Sequence, residues 1–409
     1  MKQQKPTKST VSVLNQVCKL IPQSLVDSIA RKHEINDKSR TFKPWSHITS
    51  LIYAQLAHSI GLNDVCDALG NHPSALYAIR GATVPSKNGL SHANRTRDPK
   101  MAEDLFWAMI EHLTAIAPNF GKKGFKAMPR RFKRTIHAVD SSTIQLVANC
   151  MDWAKHRGRK AAAKLHLSLD LRSFLPRCAI VDTAADSDPK RAREICADIR
   201  EGEIVIFDKA YLDFLHLNDL HRREVSWVTR AKKNMSFIAL SSRLKTSNED
   251  IISDQQILLD QKTSNENYPS SIRRIESWVE VDGQRRIMVF ITNNVDWAAS
   301  SICDLYKSRW KIEVFFKQIK QTLQLCDFIG HNANAVRWQI WTALLVYVLM
   351  RFLAHTSKWN HSFSRLFTLI RGVLWDKYCL DALLASCGIA SGDFRLIAAP
   401  DQLYLSGFA

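Results

Sequence analysis

The stretch that most constrains this chain is Glu203–Phe207, EIVIF. A strand that is apolar at successive positions has no solvent face, so it belongs inside a sheet covered on both sides. That requirement points to an α/β fold, and open α/β sheets carry their chemistry at the carboxyl ends of their strands. This run ends on Asp208. The segments before it carry strand signals of their own. Thr135–Leu146 is dominated by β-branched residues and holds Asp140 within it. Ala163–Leu171 alternates and reads as a second strand, and Pro176–Thr183 as a third, which suggests a meander. Asp188–Arg200 reads as a helix, with Asp188 as its cap and Pro189 at its first position. A helix near Asp213–Arg223 and a strand over Ser226–Arg230 follow.

Outside this block the pattern is different. From Val11 to about Ala117 apolar residues recur at helical spacing, with helices expected over His47–Ile60, Asn63–Leu69, Ser74–Ile79 and Met101–Ile116. Short helices, tight turns and a basic segment at Ser91–Arg97 suit either a helix-turn-helix reader or a plain helical scaffold. Residues 121–134 hold seven Lys and Arg and no acid, as a solvated linker or as a basic hinge for backbone phosphates. Residues 232–285 are polar, with loops expected at Lys245–Asp254 and Gln261–Pro269. A strong strand, Arg286–Thr292, follows. Beyond Gly330 the chain reads as helical again. Its most apolar run, Ile340–Met350, is short of the roughly 20 residues a membrane span needs and reads as a buried helix. The expected division is a helical N-terminal DNA-binding domain (1–120), a basic linker (121–134) and the first part of the core (135–231). An insertion (232–292), a core helix (293–330) and a C-terminal helical region (331–409) complete it.

Charge narrows the partner. The chain has 57 Lys and Arg against 39 Asp and Glu, a net +18, in a sequence that is 46% hydrophobic. A folded protein with that surplus calls for a polyanion, with nucleic acid ahead of a membrane surface. The nine Cys form no C-x-x-C pair, which argues against a zinc ribbon or a disulfide framework and fits reduced thiols in a cytosolic protein. The first ten residues are charged and polar, unlike a signal peptide. No Gly-rich phosphate loop, H-E-x-x-H or Ser/His/Asp signature is present.

Tyr306–Lys320, YKSRWKIEVFFKQIK, reads as one helix without Pro or Gly. Tyr306, Glu313 and Lys320 recur every seven residues and share a face with Arg309, while Ile312, Phe315 and Ile319 face a core. On spacing alone this is equally a solvated ion-pair face. Three strands, a helix, a strand and a late helix match a ribonuclease-H-like sheet, in which the first and fourth strands are neighbours. Asp140 and Asp208 would then meet, with Glu313 brought over them. Three converging carboxylates suit two hard divalent cations, Mg²⁺ or Mn²⁺. Lys164 and His166 share one face of the second strand and are further candidates for substrate phosphate. His137 reads as packed or hydrogen-bonded, and Asp182 with Asp186 as a second choice of acidic pair. Trp153, Trp227, Trp297, Trp310, Trp338 and Trp341 read as core, with Trp297 the candidate for stacking on an unpaired base.

The spacing Tyr-(2)-Arg-(3)-Glu-(6)-Lys at Tyr306, Arg309, Glu313 and Lys320 resembles the signature of the IS-4 family of bacterial insertion-sequence transposases. VDSSTI around Asp140 and FDKAY at 207–211 resemble that family's first two acidic motifs, although Asp208-Lys209-Ala210-Tyr211 lacks the usual glycine. The resemblance implies a DDE transposase with Asp140, Asp208 and Glu313 as catalytic metal ligands. Tyr306, Arg309 and Lys320 would bind substrate. It implies binding to double-stranded terminal repeats and target DNA, nicking, a hairpin intermediate and strand transfer. A homodimer on paired ends and a cytoplasmic, nucleoid-associated location in bacteria are implied too. Residues 232–292 would correspond to the family's β-rich insertion. A silent DNA-binding regulator, or a nuclease that cuts without joining, are the other readings.

Overall fold

The computed structural model describes residues 6–35, 42–121, 132–146, 150–154, 161–183, 188–243, 249–281, 283–325 and 328–387. Most of the basic stretch 121–134, and Asp186, lie outside the described residues.

Seven helices come first: α1 (Val13–Lys19), α2 (Gln23–Lys32), α3 (Pro44–Ala57), α4 (Leu62–Gly70), α5 (Pro73–Tyr77), α6 (Lys87–Thr96) and α7 (Lys100–Ile116). The sheet region follows with β1 (Ile136–Leu146), α8 (Met151–Ala154), β2 (Ala161–Asp170), β3 (Leu175–Thr183), α9 (Asp188–Ile195), β4 (Ile204–Phe207), α10 (Phe214–Arg222) and β5 (Ser226–Arg230). Then come β6 (Phe237–Ser242), β7 (Ile251–Leu259), α11 (Lys262–Asn267), β8 (Ile272–Val281) and β9 (Gln284–Thr292). The last described elements are α12 (Ala299–Lys307), α13 (Trp310–Lys317), α14 (Ala333–Thr356), α15 (Phe363–Gly372) and α16 (Leu380–Ser386).

The nine strands form one sheet in the order β3-β2-β1-β4-β5-β9-β8-β7-β6. β1, β4 and β5 run parallel to one another, and the remaining pairings are antiparallel. The apolar run of β4 has the reason its sequence suggests. Ile204 and Ile206 join the larger core with Ala138, Phe315 and residues of α14, while Val205 and Phe207 join a second core under α9 and α10 with Ile195, Leu217 and Trp227. Each face of the strand is therefore covered.

α14 is apolar on nearly every side, and a helix of that kind has to be surrounded. It packs against α3, α6 and α7 from the N-terminal region and against α15 and β3. Among the described residues it is the one helix long and apolar enough to cross a membrane, and 83% of its apolar window is buried within the protein. Backbone hydrogen bonds from Ser9 to Lys377 (2.8 Å) and from Leu14 to Leu374 (2.8 Å) tie the segment around α1 to the connection between α15 and α16.

Two loop expectations in 232–285 are corrected. Ile251–Leu259 is strand β7 and Lys262–Asn267 is helix α11. Ile251, Ile257 and Leu259 are buried, whereas Ser253, Gln255 and Gln256 between them are half-buried, and Gln256 bonds to Ser271 Oγ at 2.6 Å. Asp254 breaks the apolar pattern of the buried face because Arg273 neutralises it there with two hydrogen bonds of 2.7 and 2.8 Å. β9 then bonds directly to β5, so the sheet passes without interruption from β5 through β9 and β8 to β7 and β6.

Candidate active site

The last parallel pair of β1 and β4 is Val139 with Phe207, which sets Asp140 beside Asp208 at the next step. Both are half-buried, and α13 packs over β1 at this point. The expected single helix Tyr306–Lys320 is corrected here. Regular helix stops at Lys307 and resumes at Trp310. Arg309 and Ile312 donate to carbonyls three residues back, at 2.9 Å each, which tightens that turn. Gln318–Thr322 then widens into a π-helical turn. Side chains on either side of these irregular turns bond to the sheet. The Tyr306 hydroxyl makes a long 3.4 Å bond to Asp208, and Lys320 Nζ reaches the Thr143 carbonyl of β1 at 2.5 Å. Ile312, Phe315 and Ile319 are buried, as expected of the floor.

Arg309 is the centre of the cluster. One guanidinium nitrogen donates to Asp140 Oδ2 at 2.7 Å and another to Glu313 Oε1 at 2.9 Å. Burial works against its charge, yet Tyr306 and the three carboxylates Asp140, Glu313 and Asp208 outweigh that and raise its pKa. Burial holds Glu313 above the ordinary carboxylate range in spite of Arg309. Asp208 goes the other way. Burial raises it, but the 3.0 Å hydrogen bond from Arg230 and the charges of Arg309 and Arg230 hold it below the ordinary range. Both guanidiniums also flank the Tyr306 ring, at 5.7 Å for Arg309 and 6.0 Å for Arg230. Sequence reasoning missed Arg230, although it closes β5 just as Asp208 follows β4, and strand ends are where such residues gather.

The other candidates divide. Lys164 lies opposite Thr143 in the β1–β2 register, close to where Lys320 lands. His166 lies inside the protein. It is fully buried, with Nδ1 3.2 Å from the Tyr211 hydroxyl, because both faces of β2 are covered. His137 bonds to Glu203 at 3.1 Å. Asp182 is held by an ion pair with Arg191. Trp297 packs edge-on against Phe132 at 5.1 Å, and Trp227, Trp338 and Trp341 are buried.

A divalent ion needs converging oxygen donors. Among the described residues no three of His, Cys, Asp and Glu stand as a ready-made ion cage. The donor set still fits in kind and in charge. Three carboxylates act on one guanidinium, whose positive charge occupies the point between Asp140 and Glu313. Carboxylate oxygens are the ligands a hard cation takes.

Comparison with known proteins places these features in a family. Residues 131–349, more than half of the chain, match the model of the Transposase DDE domain. Residues 9–79 match a domain of unknown function, DUF4372. The chain is 31% identical over 303 residues to transposase y4zB of Sinorhizobium fredii, covering 73% of this chain and 80% of that protein. It is 26% identical to the transposase of insertion sequence element IS5377 of Geobacillus stearothermophilus, over 68% of this chain and 72% of that one. With the InsG transposase of element IS4 of Escherichia coli it shares 23% identity, over 48% and 46% of the two chains. The chain belongs to the DDE transposases, enzymes that cleave DNA and carry out strand transfer, and is similar to those of insertion sequences such as IS4.

Proposed function

We propose that Asp140, Asp208 and Glu313 are the catalytic carboxylates of this transposase, and that they sit in a ribonuclease-H-like core. The observation that carries the reading is the convergence on Arg309 of Asp140 and Glu313, the first of them 169 residues away in sequence, with Asp208 on the adjoining strand. The order β3-β2-β1-β4-β5 with parallel β1, β4 and β5 supports the core assignment.

DDE enzymes depend on divalent metal. Here the three carboxylates would hold two Mg²⁺ or Mn²⁺ ions, which would lower the pKa of an attacking water or hydroxyl and stabilise the leaving oxygen. The remaining work falls to this chain's own side chains. Arg309, once released from Asp140 and Glu313, and Tyr306 hold the phosphate under attack. Lys320 and Lys164 hold the backbone farther along β1. His166 fixes Tyr211 behind Asp208 as a positioning residue. Water attacks phosphorus, the bond to the 3′ oxygen breaks, and a 3′ hydroxyl is left. That hydroxyl next attacks a phosphorus of the opposite strand and displaces the 3′ oxygen of the flanking DNA, which closes a hairpin. A second water opens the hairpin and regenerates the 3′ hydroxyl, which attacks a phosphorus of target DNA and displaces a target 3′ oxygen. The Tyr-Arg-Glu-Lys spacing, the helical N-terminal region as reader of the terminal repeats, the insertion 232–292 as helper of the hairpin step and a dimer on paired ends complete the proposal. It would work on DNA in the bacterial cytoplasm.

The test is a labelled duplex carrying the element's terminus, incubated with Mg²⁺ and either wild-type protein or Asp208→Asn. Nicking at the terminus followed by a hairpin, both absent in the variant, is expected. Cleavage that persists in Asp208→Asn would overturn the carboxylate assignment.

A further inference from the structure

Beyond the carboxylates, the chain continues from β5 through residues 231–236 into β6, and these segments enclose a cavity of about 240 Å³. Lys209, Arg230, Lys232, Lys233 and Arg274 line it, and no acid does. Arg274 is partly neutralised by Glu276 at 3.2 Å and lies over the Phe237 ring at 4.9 Å. Arg230 shares its charge with Asp208. Lys209, Lys232 and Lys233 are exposed, and no described carboxylate pairs with them. Met235, Phe237 and Met288 supply an apolar wall.

We propose that this cavity is a second phosphate-binding site, which takes the backbone of the DNA strand that runs on from the bond held at the carboxylates. The inference rests on the reading of Asp208 as catalytic. Three features carry it. The cationic lining without any acid leaves a local surplus of positive charge for an anion to neutralise. The apolar wall suits the sugar faces between successive phosphates, which an inorganic anion lacks. Arg230 belongs to both places, since it lines the cavity and bonds Asp208 at 3.0 Å. A strand seated in the cavity is thereby registered against the catalytic carboxylates.

Binding of the labelled duplex is measured by fluorescence anisotropy in EDTA over a range of salt concentrations, with no cleavage involved. The variant is Lys232→Gln with Lys233→Gln, and thermal melting checks its fold. A control, Lys262→Gln with Lys358→Gln, removes the same charge from exposed positions elsewhere. The cavity variant is expected to bind more weakly, with a log–log salt slope shallower by roughly 1.8, at about 0.9 for each phosphate that a lysine no longer neutralises. The control is expected to keep the wild-type slope. Equal slopes in wild type and cavity variant, or equal weakening in variant and control, overturn the proposal. Millimolar inorganic phosphate is added in a further arm. If it raises the melting temperature of wild type alone while DNA affinity is the same in both proteins, the site belongs to a free anion and the proposal fails. A wild type that binds no DNA under any condition would instead defeat the functional reading itself.

Discussion

Arg309→Gln removes the charge that bonds both Asp140 and Glu313 while keeping a polar side chain. Arg309 is 9% exposed and bonds the two carboxylates at 2.7 and 2.9 Å. Breaking a buried ion pair costs about 3–5 kcal/mol because a charge is left uncompensated, whereas an exposed pair is worth about 1 kcal/mol or less. The Glu313 side chain is 36% exposed, which sets this cluster between those limits, at about 2–3 kcal/mol. At about 2–4 °C per kcal/mol for a sizeable domain, the melting temperature in EDTA should fall by about 4–12 °C. The same substitution frees the carboxylates for a cation. Scanning calorimetry should therefore show millimolar Mn²⁺ raising the melting temperature of Arg309→Gln more than that of wild type, because in wild type the ion competes with the guanidinium. If the variant melts within about a degree of wild type in EDTA and gains no more from Mn²⁺, Arg309 does not stand in for a metal charge.

Three other outcomes follow from the same packing. His216 is fully buried, its pKa is lowered to about 4 by burial, and neither ring nitrogen has a hydrogen-bond partner among the described residues. The unfolded chain takes this proton near pH 6.5 and the folded chain only near 4, so its share of stability, about 3 kcal/mol, is intact above pH 6.5 and lost as the pH falls toward 4. Chemical denaturation of His216→Leu across that window should show a flatter profile, and an unchanged slope would contradict this. Arg273→Leu strands the buried Asp254 and should cost about 3–5 kcal/mol in denaturant titration, against near-neutrality if the pair is dispensable. Trp227→Ala empties the core under α10 and should cost about 3–5 kcal/mol by the same assay, while a loss below about 1 kcal/mol would mean that core is loosely packed.

Much of the site was legible in sequence because its two aspartates end or interrupt strands. The apolar β4 has to sit between two covered faces, and Asp208 at its end then has few places to go. Tertiary pairing hid the rest. β7 reads as loop because its buried face includes Asp254, acceptable only once Arg273 arrives from β8. His166 alternates with leucines and looks half-exposed, but β2 is interior and the histidine bonds Tyr211. Arg309 in the tightened turn and Lys320 in the π-turn bond to Asp140, Glu313 and Thr143, residues that no local window around them contains in full. The hydrogen bonds between the segment around α1 and the connection between α15 and α16 likewise join residues far apart in the chain.

The central claim is that these carboxylates ligate the catalytic metal, and a change of metal preference tests it most directly. Asp208→Cys exchanges a hard oxygen for a softer thiolate, which binds Mg²⁺ poorly and accepts Mn²⁺ better. Cleavage of the labelled terminus by Asp208→Cys is expected to be lost in Mg²⁺ and partly restored in Mn²⁺. Wild-type cleavage by that variant in Mg²⁺ would contradict the assignment.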